Sequence, residues 1–100
     1  MTDNYKPLEN EDHAINIIDS DVHRFYVDQS MFKLSHLIEG IKCKLIDTSR
    51  SDLHDEKKNL SRKKWLNDGV EVEVLKVGAL GWQKGKLKLK ITVEFSPDEE

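Results

Sequence analysis

The sequence predicts a single α+β domain: a small antiparallel sheet, made of two short N-terminal strands and a C-terminal hairpin, with two helices packed on one face. Two patterns lead to this prediction. Apolar residues recur at helical spacing between Leu34 and Leu45, and they alternate with charged residues on both sides of a glycine-rich stretch near the C-terminus. The predicted domain spans residues 13–97 and follows a disordered polar arm, residues 1–12.

The N-terminal part of this domain is rich in β-branched and aromatic residues. Residues 14–18 form a short apolar run, Asp19-Ser20-Asp21 makes a polar break, and residues 22–27 continue with valine, phenylalanine and tyrosine. These residue types favour strands, and the polar residues between them favour a turn. We therefore expect two short strands joined by that turn.

The first helix has the most regular helical pattern. Its apolar residues fall on one face of an α-helix because they are spaced three or four positions apart; they are Leu34, Leu37, Ile38, Ile41 and Leu45. Ser35 is the expected N-cap, since its hydroxyl can accept a hydrogen bond from an amide of the first turn.

A second, more polar helix is expected downstream. Asp52 is its predicted N-cap, and the helix would continue to Trp65-Leu66. Gly69 should end it, because glycine readily adopts the left-handed conformation that follows a helix C-terminus. The helix has few apolar positions, so we expect it to lie at the surface.

The last third of the chain predicts an antiparallel hairpin. Beginning at Val70, valines alternate with glutamates, and residues 86–95 alternate polar with apolar residues. The stretch VGALGWQKG between them is the expected tip. If both apolar faces point to the same side, Glu73 lies opposite Lys88 or Lys90.

Composition indicates a globular chain outside the membrane. Of its 100 residues 37% are hydrophobic and 35% charged, and the mean hydropathy is -0.64. No apolar run approaches the roughly 20 residues of a membrane span, and the first residues do not resemble a signal peptide. The single cysteine, Cys43, excludes an internal disulfide and fits a reducing compartment. We expect a cytoplasmic protein that does not bind membranes.

No pattern predicts a metal, cofactor or catalytic site. The histidines are far apart, no CxxC, HxxxH or HExxH spacing occurs, and Cys43 is interpreted as a packing residue. Asp19-Ser20-Asp21 begins like a calcium loop, but Arg24 stands where that loop needs glycine. We therefore expect a protein that is not an enzyme and has no cofactor.

Lysines alternate along the second hairpin strand: Lys84, Lys86, Lys88 and Lys90. One interpretation is an anion-binding groove for nucleic-acid phosphates, with Trp82 as a stacking partner. The other is a solvated strand face whose charge is balanced by Glu71 and Glu73 on the facing strand. We favour the second, since the carboxylates occur at the matching spacing.

The stretch GWQKGK, residues 81–86, combines glycines with two lysines. It is not a P-loop, because leucine stands where serine or threonine should follow the last lysine. Trp82 has two alternative environments: its indole either folds back onto the helices beside Trp65 or stays exposed for a partner. We expect the folded-back arrangement.

Residues 65–100 resemble the KGK family of small, mostly cyanobacterial proteins. The similarity rests on the GV-E-EVL strand, the GWQKGK turn and the EF-PDE ending, and residues 30–39 resemble the part that leads into the family's helix. Cysteines are frequent in the family at the positions of Val72 and Ser96, so a role resting on them does not transfer. The resemblance implies an α+β fold in a cytoplasmic cyanobacterial protein and brings no activity.

The sequence thus leads us to expect a non-enzymatic protein-interaction module, such as a small adaptor or regulatory protein. Its candidate partner-binding residues are Trp82, Gln83, Lys84 and Lys86. Homodimerisation through an unpaired sheet edge is a variant of this hypothesis. The alternative is a nucleic-acid or phosphate-binding protein that uses the lysine-rich hairpin and Trp82.

Overall fold

The fold was analysed in a computed structural model that describes residues 4–98. Helices and short strands both occur, so the predicted α+β class is confirmed. In chain order the elements are β1 (Lys6–Pro7), β2 (Ala14–Asn16), β3 (Met31–Lys33), α1 (Leu34–Leu45), α2 (Arg50–His54), α3 (Leu60–Lys63), β4 (Val70–Val74), β5 (Gln83–Leu87) and β6 (Glu94–Phe95).

The chain divides into two compact units. We call Met1–Lys42 together with Ile91–Glu100 the terminal unit, and Cys43–Lys90 the central unit. The single domain that the sequence predicts over residues 13–97, with its boundary to an N-terminal arm, stays a prediction.

Within the described residues the strands form three separate two-stranded antiparallel sheets, β1–β6, β2–β3 and β4–β5. The single sheet with helices on one face is therefore not confirmed. Most of the strands have only two or three residues. The β1–β6 and β2–β3 ladders therefore hold only two and three residue pairs.

Part of the predicted arm is paired in the terminal unit. In β1, Lys6 lies opposite Phe95 and Pro7 opposite Glu94 of β6. The Leu8 amide extends this pairing by donating to the Val93 carbonyl at 2.8 Å. Residues 4 and 5 precede β1 without regular structure.

The N-terminal strands pair differently from the prediction. Strand β2 is present, but its partner is β3, with Ile15 opposite Phe32, and residues 22–27 form no strand. The expected turn after β2 is present locally, since the Asp19 carboxylate accepts from the Asp21 amide at 2.9 Å. The predicted strand over residues 22–27 is therefore wrong. Strand β2 pairs instead with β3, which lies directly before α1 and contains the buried Phe32.

Helix α1 lies where the helical spacing predicted it, over Leu34–Leu45, and Leu34 at its start is fully buried. Ser35 is not its N-cap, because it lies in the first turn. The amides of Leu34 and Ser35 donate to the backbone carbonyls of His13 and Glu11, both at 2.9 Å. Backbone carbonyls from the segment before β2 therefore satisfy amides that a capping side chain was expected to satisfy.

The prediction of a single second helix is wrong, because two short helices, α2 and α3, occupy this part of the chain. Ser49 caps α2, accepting from the Asp52 amide at 3.1 Å, so the predicted cap Asp52 lies in the first turn. Between the helices Asn59 takes a left-handed backbone with a φ of 54°, which breaks the helical path. The buried Lys63 holds the break in place, since its Nζ donates to the Asp55 carbonyl.

The hairpin is confirmed, but in a register that neither prediction named. Val72 lies opposite Gly85, and Val70 lies opposite Leu87. Strand β5 begins at Gln83, earlier than expected, so residues 75–82 alone join the strands. Gly69, with a φ of 92°, has the predicted left-handed conformation.

Candidate interaction site on the hairpin loop

Residues 75–82, the hairpin loop, connect β4 to β5 in the central unit. Their backbone contains one tight turn, in which the Ala79 amide donates to the Lys76 carbonyl at 3.0 Å. Gly78 occupies the third position of this turn with a φ of 87°, a conformation that favours glycine. The turn therefore lies upstream of GWQKGK, four of whose residues belong to β5.

The apolar side chains of the hairpin loop face solvent. Val77 and Leu80 are fully exposed, at 107% and 106%, Trp82 is 65% exposed and Leu75 is also exposed. Surface apolar residues are common singly, but four of them within an eight-residue loop, one a tryptophan, are typical of an interaction site. The loop therefore carries the clearest candidate interface of the central unit.

The expectation that Trp82 folds back beside Trp65 is wrong. Val74 and Gln83 are the last paired residues of the sheet, so Trp82 lies beyond its end. Trp65 instead lines a groove of about 430 Å³ with Leu45, Ile46, Leu89 and two polar residues. Its carbonyl accepts from the Leu89 amide at 2.8 Å.

The lysines of β5 face carboxylates across the hairpin. Lys84 lies opposite Glu73, and Lys86 lies opposite Glu71. The predicted matching of acids with bases is thus confirmed with different partners. A shallow concavity over these pairs is lined by Glu71, Val72, Glu73, Lys84, Gly85 and Lys86. Because both signs of charge line it, it does not present a uniformly positive surface to a phosphate.

The four-lysine row does not lie on one regular strand. Lys84 and Lys86 belong to β5 and share a face, whereas Lys88 and Lys90 follow the strand in a segment without regular structure. All four are exposed. The strand-face geometry that the nucleic-acid hypothesis used is therefore limited to Lys84 and Lys86.

The candidate partner-binding residues divide between two parts of the hairpin. Trp82 ends the loop, while Gln83, Lys84 and Lys86 belong to β5. Sequence reasoning missed Leu75, Val77 and Leu80. Their signal was present, since large apolar residues in a glycine-containing loop have few ways to become buried.

Comparison with known protein families shows which family the chain belongs to. The model of the KGK domain matches residues 3–100. The chain belongs to the KGK domain family. The resemblance to the KGK family that the sequence showed is thereby confirmed over essentially the whole chain. Neither the curated proteins nor the solved structures gave a match.

Neither a membrane-spanning helix nor a metal cluster occurs in the described part of this KGK chain. Across residues 4–98 no helix has both the length and the apolar character to cross a bilayer. The same residues bring together no group of three or more histidine, cysteine, aspartate or glutamate side chains that could hold a metal ion. Cys43 is half-buried.

Proposed function

We propose that this KGK domain is a non-enzymatic, cytoplasmic protein-interaction module that docks a partner protein through its hairpin loop. The observation that supports the proposal is the joint exposure of Val77, Leu80 and Trp82. Removing such side chains from water contributes roughly 1.5–3 kcal/mol each, which is the scale of an interface hot spot.

The charges beside the loop suggest the chemistry of the partner surface. Lys76 lies within the hairpin loop, whereas Lys84, which follows the loop in β5, lies opposite Glu73. A matching partner would offer an apolar groove for Trp82 with carboxylates at its rim. Such rim charges steer association and orientation more than they add affinity.

The test uses capture from native lysate followed by binding to the purified partner. Wild type is compared with Trp82→Ala and with the matched control Lys88→Gln/Lys90→Gln, which removes exposed charge outside the loop. We expect Trp82→Ala to weaken the purified complex roughly 30-fold, the size of a hot-spot loss, and the control to change it less than about 3-fold. Equal binding by Trp82→Ala and wild type would contradict the proposal.

Two further measurements test the other candidate partners, a second copy of the chain and a nucleic acid. Sedimentation of wild type tests a second copy through a free sheet edge, and a dimer that survives Trp82→Ala would favour edge pairing over the loop. Titration with single-stranded DNA and RNA tests the anion hypothesis. Phosphate binding through Lys84, Lys86, Lys88 and Lys90 would weaken steeply with salt, and binding of that kind would replace the proposed function.

A further inference from the structure

A second apolar region lies in the terminal unit and is independent of the hairpin loop. It is a cavity of about 730 Å³ bounded by β2, the segment after it, α1 and residues 93–95. Hydrophobic and aromatic side chains form most of its walls, among them Ile15, Phe25, Phe32 and Phe95. Its volume falls within the range of pockets that hold small molecules.

The side chains around this cavity leave apolar surface uncovered. Phe32 is buried, but Phe25 is 62% exposed, and Val22 and Phe95 are also exposed. The His23 and Phe25 rings contact each other, with centroids 4.1 Å apart, which gives one wall an aromatic surface. Protein interiors are normally close-packed, so an apolar ligand body would gain contacts here that the chain does not supply.

The polar side chains of the wall determine which ligand class fits. Its polar lining residues include three whose side chains carry N–H donors and one acid, besides two neutral polar residues: Arg24, His13, His23, Glu94, Asn16 and Tyr26. A guanidinium binds a carboxylate through two parallel hydrogen bonds, which are stronger than those between neutral groups. The donor-rich wall therefore favours an acceptor on the ligand.

We propose that the terminal unit binds an amphipathic monocarboxylate, with its apolar body against Phe25 and Phe32 and its carboxylate at Arg24. The site uses no residue of the hairpin loop. It therefore does not depend on the proposed protein-interaction function.

The test compares probes of equal chain length and different head group: decanoate, decanol and decyltrimethylammonium. Each is titrated below its aggregation concentration into the full chain, and affinity is measured by calorimetry and amide NMR shifts. We expect decanoate to bind roughly tenfold more tightly than the cation, with shifts confined to the terminal unit. Absence of decanoate binding, or equal affinity for all probes, would overturn the proposal.

Variants separate this site from a non-specific apolar surface. Arg24→Gln should weaken decanoate roughly tenfold and leave decanol unchanged, while Phe25→Ser should weaken both. Lys57→Gln, which removes a cation from the central unit, and Trp82→Ala should leave decanoate binding at the wild-type level. Wild-type affinity of folded Arg24→Gln, verified by its NMR spectrum, would refute the carboxylate assignment.

Discussion

The hairpin loop and the cavity of the terminal unit both expose apolar side chains, but the loop projects and the cavity is concave. At the loop, Val77 and Leu80 are as exposed as in an extended chain, so only a partner with its own groove can cover them. At the cavity, Phe25 and Phe32 line the same concave space, which a small molecule can fill. Similar side chains therefore suit different classes of ligand because the backbone presents them in different shapes.

The largest expected effect concerns Phe32, the buried wall of the cavity. Phe32→Ala should lower the free energy of unfolding by about 3 kcal/mol, because it removes a packed ring. The more exposed Phe25 is the matched control, and Phe25→Ala should cost less than about 1 kcal/mol. Urea unfolding followed by circular dichroism measures both, and equal losses would remove the distinction between the buried and the exposed phenylalanine of the cavity.

The next effect concerns the glycines around the hairpin. Gly69→Ala should cost about 2 kcal/mol, because Gly69 has a φ of 92° and an added Cβ would lie 3.1 Å from the Lys86 Cβ. Gly78→Ala, with a φ of 87° and open space around it, should cost about 1 kcal/mol. Gly81→Ala, which has neither constraint, should be nearly neutral.

Tryptophan fluorescence during urea unfolding measures this series, since Trp65 and Trp82 both belong to the central unit. A loss for Gly81→Ala as large as that for Gly69→Ala would contradict the loop geometry. Such a result would mean that the hairpin loop is packed and does not project.

A smaller effect is expected from the charge pairs of the hairpin. Glu73→Lys places a cation opposite Lys84 and should cost roughly 0.5–1 kcal/mol at low salt. Because the groups are exposed, added salt should reduce the loss. Glu73→Gln is the matched control and should cost less. A salt-independent loss would argue against the observed register.

The smallest effect on stability is expected at the proposed interface itself. Trp82→Ala should change the free energy of unfolding by less than about 0.5 kcal/mol, because the indole is mostly exposed. Circular dichroism during urea unfolding checks it without relying on the removed fluorophore. A loss above about 2 kcal/mol would show that Trp82 is a packing residue, and the loop would then lose its main anchor.

Prediction from sequence succeeded where a periodic pattern was long and local. The spacing from Leu34 to Leu45 predicted the position of α1, although not its N-terminal cap, and valine–glutamate alternation predicted β4. It failed where a strand could pair with more than one other segment of the chain. Residues 22–27 are of strand-forming types, yet β2 pairs with β3. Local propensity cannot predict this, because it does not specify which segment a strand will pair with.

For the candidate site, too, the sequence predicted local features correctly and long-range ones wrongly. GWQKGK drew attention to Trp82 and Lys84, and both lie at the hairpin as expected. The orientation of the indole was predicted wrongly, because its burial depends on where strand pairing stops. No local pattern indicated the cavity either, since it combines side chains from β2, α1 and residues 93–95, which are far apart in the chain.

By itself the sequence determined the α+β class, helix α1, the hairpin, the left-handed Gly69 and membership of the KGK family. Each of these depends on interactions between residues close in the chain or on the residue types themselves. Only the tertiary structure decided that β1 pairs with β6, that the hairpin register sets Glu73 against Lys84, and that Trp82 faces solvent. These features depend on which distant backbone segments meet, and several registers satisfy the same alternation of apolar and charged residues.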